Sequence, residues 1–313
     1  MSRPLTQSEI AKKLGISTSQ VSYLLKEAYQ EGLLESRIHA PRSYILEGEL
    51  VYTYQQFGLK QARVAILGGT EHESAIIDAI GDCAASYVEE ELKPGMRVGI
   101  SGGRTMRSMV EHITPNKLKG LKIYSVESRG TLEVSANTIA ANLAAKCEDS
   151  DVYGLTMPLL TSGSIDDARI VLDYLLSLPS ISEAYDGIKK LDVAITGIAT
   201  LTDPISSMKS AKYFEVELDR IVEISKKAVG CIIWEFFDRK GRIVESDIHK
   251  RVLAIRLQQL QDMARSPKKR VIAVAGGANK VEAIQAAIYG GFMDTLITDI
   301  DTAEKLIESK GKY

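Results

Sequence analysis

The chain has 313 residues, of which 45% are hydrophobic and 26% are charged, and its formal net charge is −2. These values are typical of a soluble globular protein with room for one small module beside a larger domain, and they exclude a low-complexity chain. No apolar run approaches the roughly 20 residues of a membrane span, and the N-terminus lacks a signal peptide, so we expect a cytoplasmic protein without a membrane partner. The cysteines and histidines are scattered, which predicts buried thiols, no metal site and no cofactor.

Residues 6–34 have the pattern of a helix-turn-helix. A small residue, Ala11, stands where two helices would cross, Gly15 stands in the turn, and Val21 would fill the space behind the second helix. Both helices begin with the S/T-x-x-E/Q capping box, which satisfies free backbone N–H groups; the pairs are Thr6 with Glu9 and Ser17 with Gln20. Gly32 is expected to end the second helix. The pattern favours a DNA-binding module, and an ordinary helical hairpin is the alternative.

The second helix is predicted to enter the major groove of DNA through its exposed side. A strand or β-wing over residues 33–41 would follow it and add a phosphate contact. The predicted DNA-binding residues are Thr18, Ser19, Gln20, Ser22, Tyr23, Lys26 and Arg37. Residues 1–42 contain six basic and four acidic side chains, a net +2 that leaves −4 for the rest of the chain. A modestly basic head on an acidic body agrees with this prediction.

Residues 44–61 are predicted to form a linker helix, with Leu46, Leu50 and Tyr54 on a face that could pack on the body or on a second subunit. From residue 62 onward, apolar β-branched runs alternate with amphipathic segments, which predicts a mostly parallel, doubly wound α/β domain. The expected strands are 63–67, 96–100, 121–126, 192–198, 271–276 and 295–300, and the main expected helices are 72–92, 135–148 and 279–291. Residues 226–248 break this rhythm and predict an antiparallel hairpin with its turn at 239–241.

Three loops that follow predicted strands or open helices carry residues suited to an anion, and the ligands of open α/β sheets bind beyond the carboxyl ends of the strands. The loop 101–105 combines two glycines and two hydroxyls with a helix start, whose free N–H groups attract phosphate. The loop 128–130 contains an arginine, and the loop 275–280 repeats the Gly-Gly pattern with a lysine. The predicted ligand-binding residues are Ser101, Gly102, Gly103, Arg104, Thr105, Arg129, Gly276, Gly277 and Lys280. A plain turn is the alternative for any one loop, but together they favour a phosphorylated sugar.

The sequence resembles the SorC-type (DeoR-SorC) bacterial transcriptional regulators over nearly its full length. The matching stretches include SEIAKKLGIS, MRVGISGGRT, AITGIATL, FFDRKGR and VIAVAGGANKVEAIQAAIYGG. The resemblance implies a winged helix-turn-helix (1–43), a linker helix (44–61) and an effector domain (62–313) similar in fold to sugar-phosphate isomerases. It also implies a phosphorylated sugar or related metabolite as effector, operator DNA as partner, and a homodimer or homotetramer. By position, the phosphate loop is 102–105, with Arg129 and Lys280 as further contacts.

Four features depart from the family pattern. Gly102 replaces a tryptophan of the first loop, and Cys231 replaces an acidic residue that would accept hydrogen bonds from sugar hydroxyls. Thr18 and Tyr23 stand where the family often has arginine in its recognition helix. The helix that precedes the helix-turn-helix in the family is expected to be absent or short. These departures predict a different or smaller effector, or a lost effector response, and an operator of different sequence.

We interpret the chain as an effector-controlled transcriptional regulator of carbohydrate metabolism, a repressor rather than an activator, without catalytic residues. One alternative is a sugar-phosphate isomerase or deaminase, for which Asp203 and Asp299 are the available acid–base candidates. Asp299 fits better as the cap of the helix that follows it. The other alternative is a partner-binding protein that no longer binds DNA. Trp234 is predicted to pack in the core.

Overall fold

The computed structural model describes residues 5–31, 33, 41–67, 72–128, 134–156, 164–201 and 218–310. The chain forms two compact units, Met1–His39 and Ala40–Tyr313. The part of the larger unit that holds the candidate site is an open parallel sheet covered by helices on both faces. Among the helices within the described ranges, none is both long and apolar enough to cross a membrane.

The smaller unit contains two helices, α1 (Gln7–Leu14) and α2 (Thr18–Gln30). Both predicted capping boxes are present: Thr6 caps α1, and the Ser17 N–H donates to Gln20 Oε1 (2.9 Å) while the Gln20 N–H donates to Ser17 Oγ (3.1 Å). Gly15 takes the left-handed conformation in the turn (φ 66°). Ala11 and Val21 are buried. Both predicted helices, their capping boxes and the turn at Gly15 are therefore present, whereas Gly32 and residues 34–40 of the predicted wing lie outside the described residues.

The larger unit consists of alternating strands and helices. Its helices are α3 (Tyr44–Tyr54), α4 (Glu73–Glu91), α5 (Arg104–His112), α6 (Ala136–Lys146), α7 (Ile165–Ser177), α8 (Pro179–Ile188), α9 (Leu218–Ser225), α10 (Leu257–Arg265), α11 (Val281–Tyr289) and α12 (Ile300–Glu308). Its strands are β1 (Gln61–Ala65), β2 (Arg97–Ile100), β3 (Lys122–Ser125), β4 (Asp151–Tyr153), β5 (Val193–Thr196), β6 (Ala199–Thr200), β7 (Gly230–Ile232), β8 (Glu235–Phe237), β9 (Ile243–Val244), β10 (Arg270–Val274) and β11 (Thr295–Asp299). The six predicted strands and three main helices are all present.

The large sheet is parallel and has the strand order β1-β11-β10-β5-β2-β3-β4. The chain runs outward in one direction from β2 to β4 and in the other from β5 through β10 to β11. The order therefore reverses between β2 and β5, and open α/β sheets bind ligands in the crevice at such a switch point. The edge strand β4 was not predicted, because it has three residues, two of them exposed, and hence no apolar run.

Apolar side chains alternate between the two faces of the sheet. Val193 and Ile195 pack with α4, α5 and α6 on one face, whereas Ala194 lies in the core shared with α3, α8, α10, α11 and α12 on the other. Leu50 and Tyr54 of α3 are fully buried in this second core, so the stripe on the linker helix packs on the larger unit. The helix is shorter than the predicted 44–61, because a 3₁₀ turn at Gln55–Phe57 and a left-handed Gly58 stop it before β1.

A second, antiparallel sheet joins β6, β7, β8 and β9. The predicted turn at 239–241 is present between β8 and β9. The prediction of a single strand before this turn is wrong. The chain turns a second time at Ile233 and Trp234, which separate β7 from β8. Both residues have positive φ (48° and 64°), a conformation that is costly for a β-branched residue such as isoleucine. Nothing in this pair resembles the Asn-Gly type of hairpin turn, which is why the sequence did not indicate it.

Candidate functional site

The loops that follow β2 and β5 are joined directly at the switch point of the sheet. The Ser101 N–H donates to the Ile195 carbonyl (3.0 Å), and the Gly197 N–H donates to Ser101 Oγ (3.4 Å). The loop after β10 lies beside them, because β10 is the other neighbour of β5. The sequence identified the 101–105 and 275–280 segments separately. In the structure both lie at the carboxyl ends of the central strands of the sheet.

The two glycines of the first loop are required for different reasons, a close backbone approach at Gly102 and a positive φ at Gly103. The Gly102 N–H donates to Glu127 Oε1 (2.8 Å), and a Cβ at this position would come within 2.6 Å of the Val134 carbonyl oxygen. Gly103 has φ +116° and donates its N–H to the same carbonyl (2.8 Å). These two amides are thus used inside the protein. The N–H groups of the first turn of α5, beginning at Arg104, have no intrahelical acceptor and are the ones left for an anion.

Asp299 fixes the loop after β10. Its carboxylate accepts from the Thr302 N–H (3.0 Å) as the cap of α12, as predicted, and also from the Gly277 N–H (2.8 Å). A Cβ at Gly276 would lie 2.2 Å from Asp299 Oδ2. The carboxylate is fully buried and bound to these groups, so it holds the loop in place and is poorly presented to a ligand as an acid or base.

Two positive side chains and one carboxylate lie within electrostatic reach of one another beside these loops. Burial of the Lys280 ammonium lowers its pKa; the nearby charge of Glu73 opposes this shift and that of Arg104 adds to it. Arg104 forms a two-pronged ion pair with Glu73, with Nη2–Oε1 and Nη1–Oε2 distances of 2.6 and 3.2 Å. Within the described residues no hydrogen bond or ion pair of the Lys280 ammonium is found. A partly buried cation without a partner in the described residues, beside a helix start, is a favourable site for an anion.

Glu127 is a site residue that the sequence did not single out. It follows β3 and is only 7% exposed, and its carboxylate accepts from Gly102 through one oxygen and from Trp234 Nε1 (2.6 Å) through the other. The prediction that Trp234 only packs in the core is therefore incomplete, since its indole N–H reaches the site from the β7–β8 turn. Ser128 follows directly, and its buried Oγ has no hydrogen-bond partner among the described residues, which do not include 129–133. Glu127 and Ser128 directly precede the predicted ligand residue Arg129 at the end of a strand, and this position could have indicated them as site residues.

Cys231 lies on β7, and burial is the main cause that raises the pKa of its thiol to about 12. The side chain therefore remains a neutral thiol near neutral pH and cannot replace a carboxylate as an acceptor for sugar hydroxyls. Burial also raises the pKa of Cys83 to about 12 and of Cys147 to about 11. Cys83 is buried as predicted, whereas Cys147 and Cys231 are partly exposed.

Two sequence candidates cannot be placed. Arg129, predicted as a ligand contact, and Asp203, considered as an acid or base, lie outside the described residues. The remaining predicted ligand residues belong to the two loops above; Ser101 and Thr105 are buried, while Arg104 is exposed. In the described ranges, no cluster of His, Cys, Asp and Glu has the geometry of a metal site.

The predicted recognition helix exposes the side that the sequence assigned to DNA. All six residues predicted on α2 are exposed, as is the apolar Leu24; the six are Thr18, Ser19, Gln20, Ser22, Tyr23 and Lys26. Tyr23 is 64% exposed, and its hydroxyl donates to Glu27 Oε1 (3.3 Å), one turn further along the helix. Arg37 lies outside the described residues. Polar and basic side chains thus cover one side of a helix that packs on α1 through Val21.

Comparison with known proteins identifies the family. A family model described as "Putative sugar-binding domain" matches residues 51–308. The Deoxyribonucleoside regulator of Bacillus subtilis (strain 168) is 29% identical, over 96% of this chain and 92% of that protein. The Transcriptional regulator LsrR of Escherichia coli (strain K12) is 30% identical, over 97% of this chain and 90% of that protein. The crystal structure of the full-length sorbitol operon regulator SorC from Klebsiella pneumoniae superposes with a TM-score of 0.70 and 25% identity, over 97% of this chain and 94% of that one. The chain therefore belongs to the SorC/DeoR family of transcriptional regulators that carry this sugar-binding domain.

Proposed function

We propose that the protein represses an operon of carbohydrate metabolism and is controlled by a phosphorylated sugar bound at the switch point of its parallel sheet. The observation that carries this proposal is the partly buried Lys280 ammonium, which has no hydrogen-bond or ion-pair partner in the described residues and lies within electrostatic reach of Arg104 at the start of α5. A phosphate would neutralise both cations and accept from the free N–H groups of the helix. Arg129 is proposed as a further contact.

The other end of the ligand would face Glu127 and Ser128. A carboxylate acceptor and a hydroxyl can bind sugar hydroxyl groups, and no group in the described part of the chain uses the hydrogen-bonding capacity of Ser128 Oγ. Glu127 already accepts from Gly102 and Trp234, so the ligand would share or exchange these bonds. The proposed site thus has a cationic part and a hydroxyl-binding part, and a polyhydroxylated ligand with one phosphate group would fit both.

The N-terminal unit is proposed to bind operator DNA. The side chains on the exposed side of α2 would read base edges and Lys26 would contact a phosphate, with Arg37 as a second phosphate contact. A homodimer or homotetramer would present two such helices to a pseudo-palindromic site. The effector changes DNA affinity only to the extent that it binds one arrangement of the oligomer better than another.

We further propose that the bound sugar is released unchanged. The relatives reported above are named as regulators, among them the Deoxyribonucleoside regulator and the sorbitol operon regulator SorC. The buried Asp299 carboxylate is fully engaged as a helix cap and loop anchor. Turnover of sugar phosphates by the purified protein would contradict this part of the proposal.

The proposal is tested by thermal shift of the full chain against a panel of phosphorylated sugars and polyols. A ligand that binds only the folded protein raises the melting temperature by mass action. We expect a hit whose shift is lost in Lys280→Met and reduced in Thr105→Ala. Lys305→Met, an exposed lysine on α12, is the matched control and should keep the full shift. No shift across the panel, or a shift that Lys280→Met leaves intact, would contradict the proposed site.

A further inference from the structure

We propose that Glu73 is an internal counter-ion of the effector site, which a ligand must displace from Arg104, and that it makes the site selective for dianions over monoanions. This inference rests on the proposed function, because it concerns the same anion site. It adds a residue of the opposite charge, on α4, which neither the sequence motifs nor the glycine loops had assigned to the site.

The contacts of Glu73 are those of a bound anion. Both of its carboxylate oxygens are bonded to the Arg104 guanidinium, at 2.6 and 3.2 Å, the two-pronged geometry that arginine forms with carboxylates and phosphates. Its charge also acts, at longer range, on the partly buried Lys280 ammonium. One carboxylate therefore satisfies, in part, the two cations that the effector phosphate is proposed to bind.

Charge determines which ligands can replace it. With Glu73 in place, the two cations and one carboxylate sum to a single positive charge. A carboxylate ligand has the same charge and the same two oxygens as Glu73, so exchange gains little. A phosphate dianion has a second charge and a third oxygen, which can reach Lys280 or the N–H groups of α5 while two oxygens hold Arg104.

The displaced side chain remains in a favourable place. Glu73 is the first residue of α4, and a negative charge in the first turn of a helix is stabilised by the helix dipole. It is also 60% exposed, so water can solvate it once Arg104 turns to the ligand. The cost of displacement is therefore limited to one exposed ion pair, which is weak enough for a ligand to break.

Isothermal titration of the full chain with inorganic phosphate and with acetate tests the inference. Glu73→Gln should bind phosphate about two- to fivefold more tightly than the parent chain, the range that one exposed ion pair allows. Acetate should bind only to the variant. The matched control is Glu111→Gln, which removes a carboxylate paired with Arg107 on α5 (3.5 Å) and should leave both affinities unchanged.

A double-mutant cycle separates displacement from a general effect of charge. In an Arg104→Gln background the gain from Glu73→Gln should largely disappear; a gain that persists would mean a long-range field and would overturn the inference. Unchanged or weaker phosphate binding in Glu73→Gln alone would overturn it as well. If Arg104→Gln and Lys280→Met weaken phosphate binding in those experiments, the proposed site stands without Glu73. If neither variant weakens it, the site itself is wrong.

Discussion

A partly buried cation is the residue that most directly connects this structure to an anionic ligand. Lys280 follows a Gly-Gly loop, and burial of its ammonium lowers its pKa below the ordinary 10.5. A lysine in this setting is protonated at a free-energy cost, which an incoming anion recovers. The pH dependence of anion binding should therefore report on this one side chain.

We expect phosphate affinity to fall as the pH rises through the lowered pKa of Lys280, because phosphate binds the protonated ammonium. Lys280→Arg should extend binding to more alkaline pH, since a guanidinium stays charged there. The stability of the ligand-free protein should change with pH in the opposite direction. Between the lowered pKa and 10.5, Lys280 is protonated in the unfolded chain but not in the native one, so the free energy of unfolding rises with pH. Calorimetric titrations from neutral pH towards 10.5 check the first expectation, and identical pH profiles for both proteins would contradict it.

Glu127 offers a second test at the level of a single residue. Its two carboxylate oxygens accept from the Gly102 N–H and from Trp234 Nε1. A glutamine amide has only one oxygen, so its NH₂ group would face one of these two donors. Glu127→Gln should therefore destabilise the protein by about 1–3 kcal/mol, the cost of leaving a buried donor unsatisfied. Urea denaturation gives the free energy of unfolding. Emission from Trp234, the only tryptophan of the chain, should also shift.

The exposed Glu304→Gln is the control for this experiment. It should leave the free energy of unfolding within about 0.5 kcal/mol of the parent value, as is usual for surface substitutions. If Glu127→Gln likewise changes neither the free energy of unfolding nor the fluorescence emission of Trp234, Glu127 does not link the first loop to the β7–β8 turn.

At the level of elements, α3 is tied to the edge of the large sheet by one carboxylate. Glu47 accepts from Arg42 through both oxygens (2.9 and 2.8 Å) and from the Val64 N–H on β1 (3.1 Å). Glu47 is only 7% exposed, and this contact raises the pKa of the Arg42 guanidinium. A helix that begins the larger unit is thus held to the strand that follows it.

Glu47→Ala should destabilise the larger unit by about 3 kcal/mol, because it leaves a partly buried guanidinium and a strand N–H without their acceptor. Glu49→Ala, on the exposed side of the same helix, should change stability by less than about 0.5 kcal/mol. The midpoint of urea denaturation distinguishes the two variants. Equal midpoints would mean that α3 is held by its apolar side chains, Leu50 and Tyr54, alone.

The elements that the sequence predicted correctly share one property. Each is specified by a pattern of residues within the element itself. The strand at 271–276 is a continuous apolar run, and Ser17 with Gln20 form their capping box within one helical turn. Glu127 and Trp234, in contrast, are 107 positions apart, and only the fold brings them together. The turn at Ile233 could not be predicted either, because the local preference of isoleucine is against positive φ and tertiary contacts override it.

At the scale of the whole molecule, the proposed function joins two units with different physical tasks. The smaller unit has a net positive charge and exposes polar side chains on α2, whereas the larger one is acidic and buries two layers of apolar residues on its sheet. The alternative of a family member that no longer binds DNA differs from the proposed regulator in one measurable quantity, the release of counterions from DNA on binding.

Lys26 provides that measurement on ordinary duplex DNA, before an operator is known. A lysine that contacts a phosphate releases about one counterion, so Lys26→Gln should weaken binding for all sequences and reduce the slope of log K against log salt by about one. Lys305→Gln removes the same charge from α12 of the larger unit and should leave the slope unchanged. Filter binding or fluorescence anisotropy over a series of salt concentrations gives both slopes. Equal slopes for the two variants would remove Lys26 from the DNA interface, and binding without salt dependence in the parent chain would favour a protein that has lost its operator.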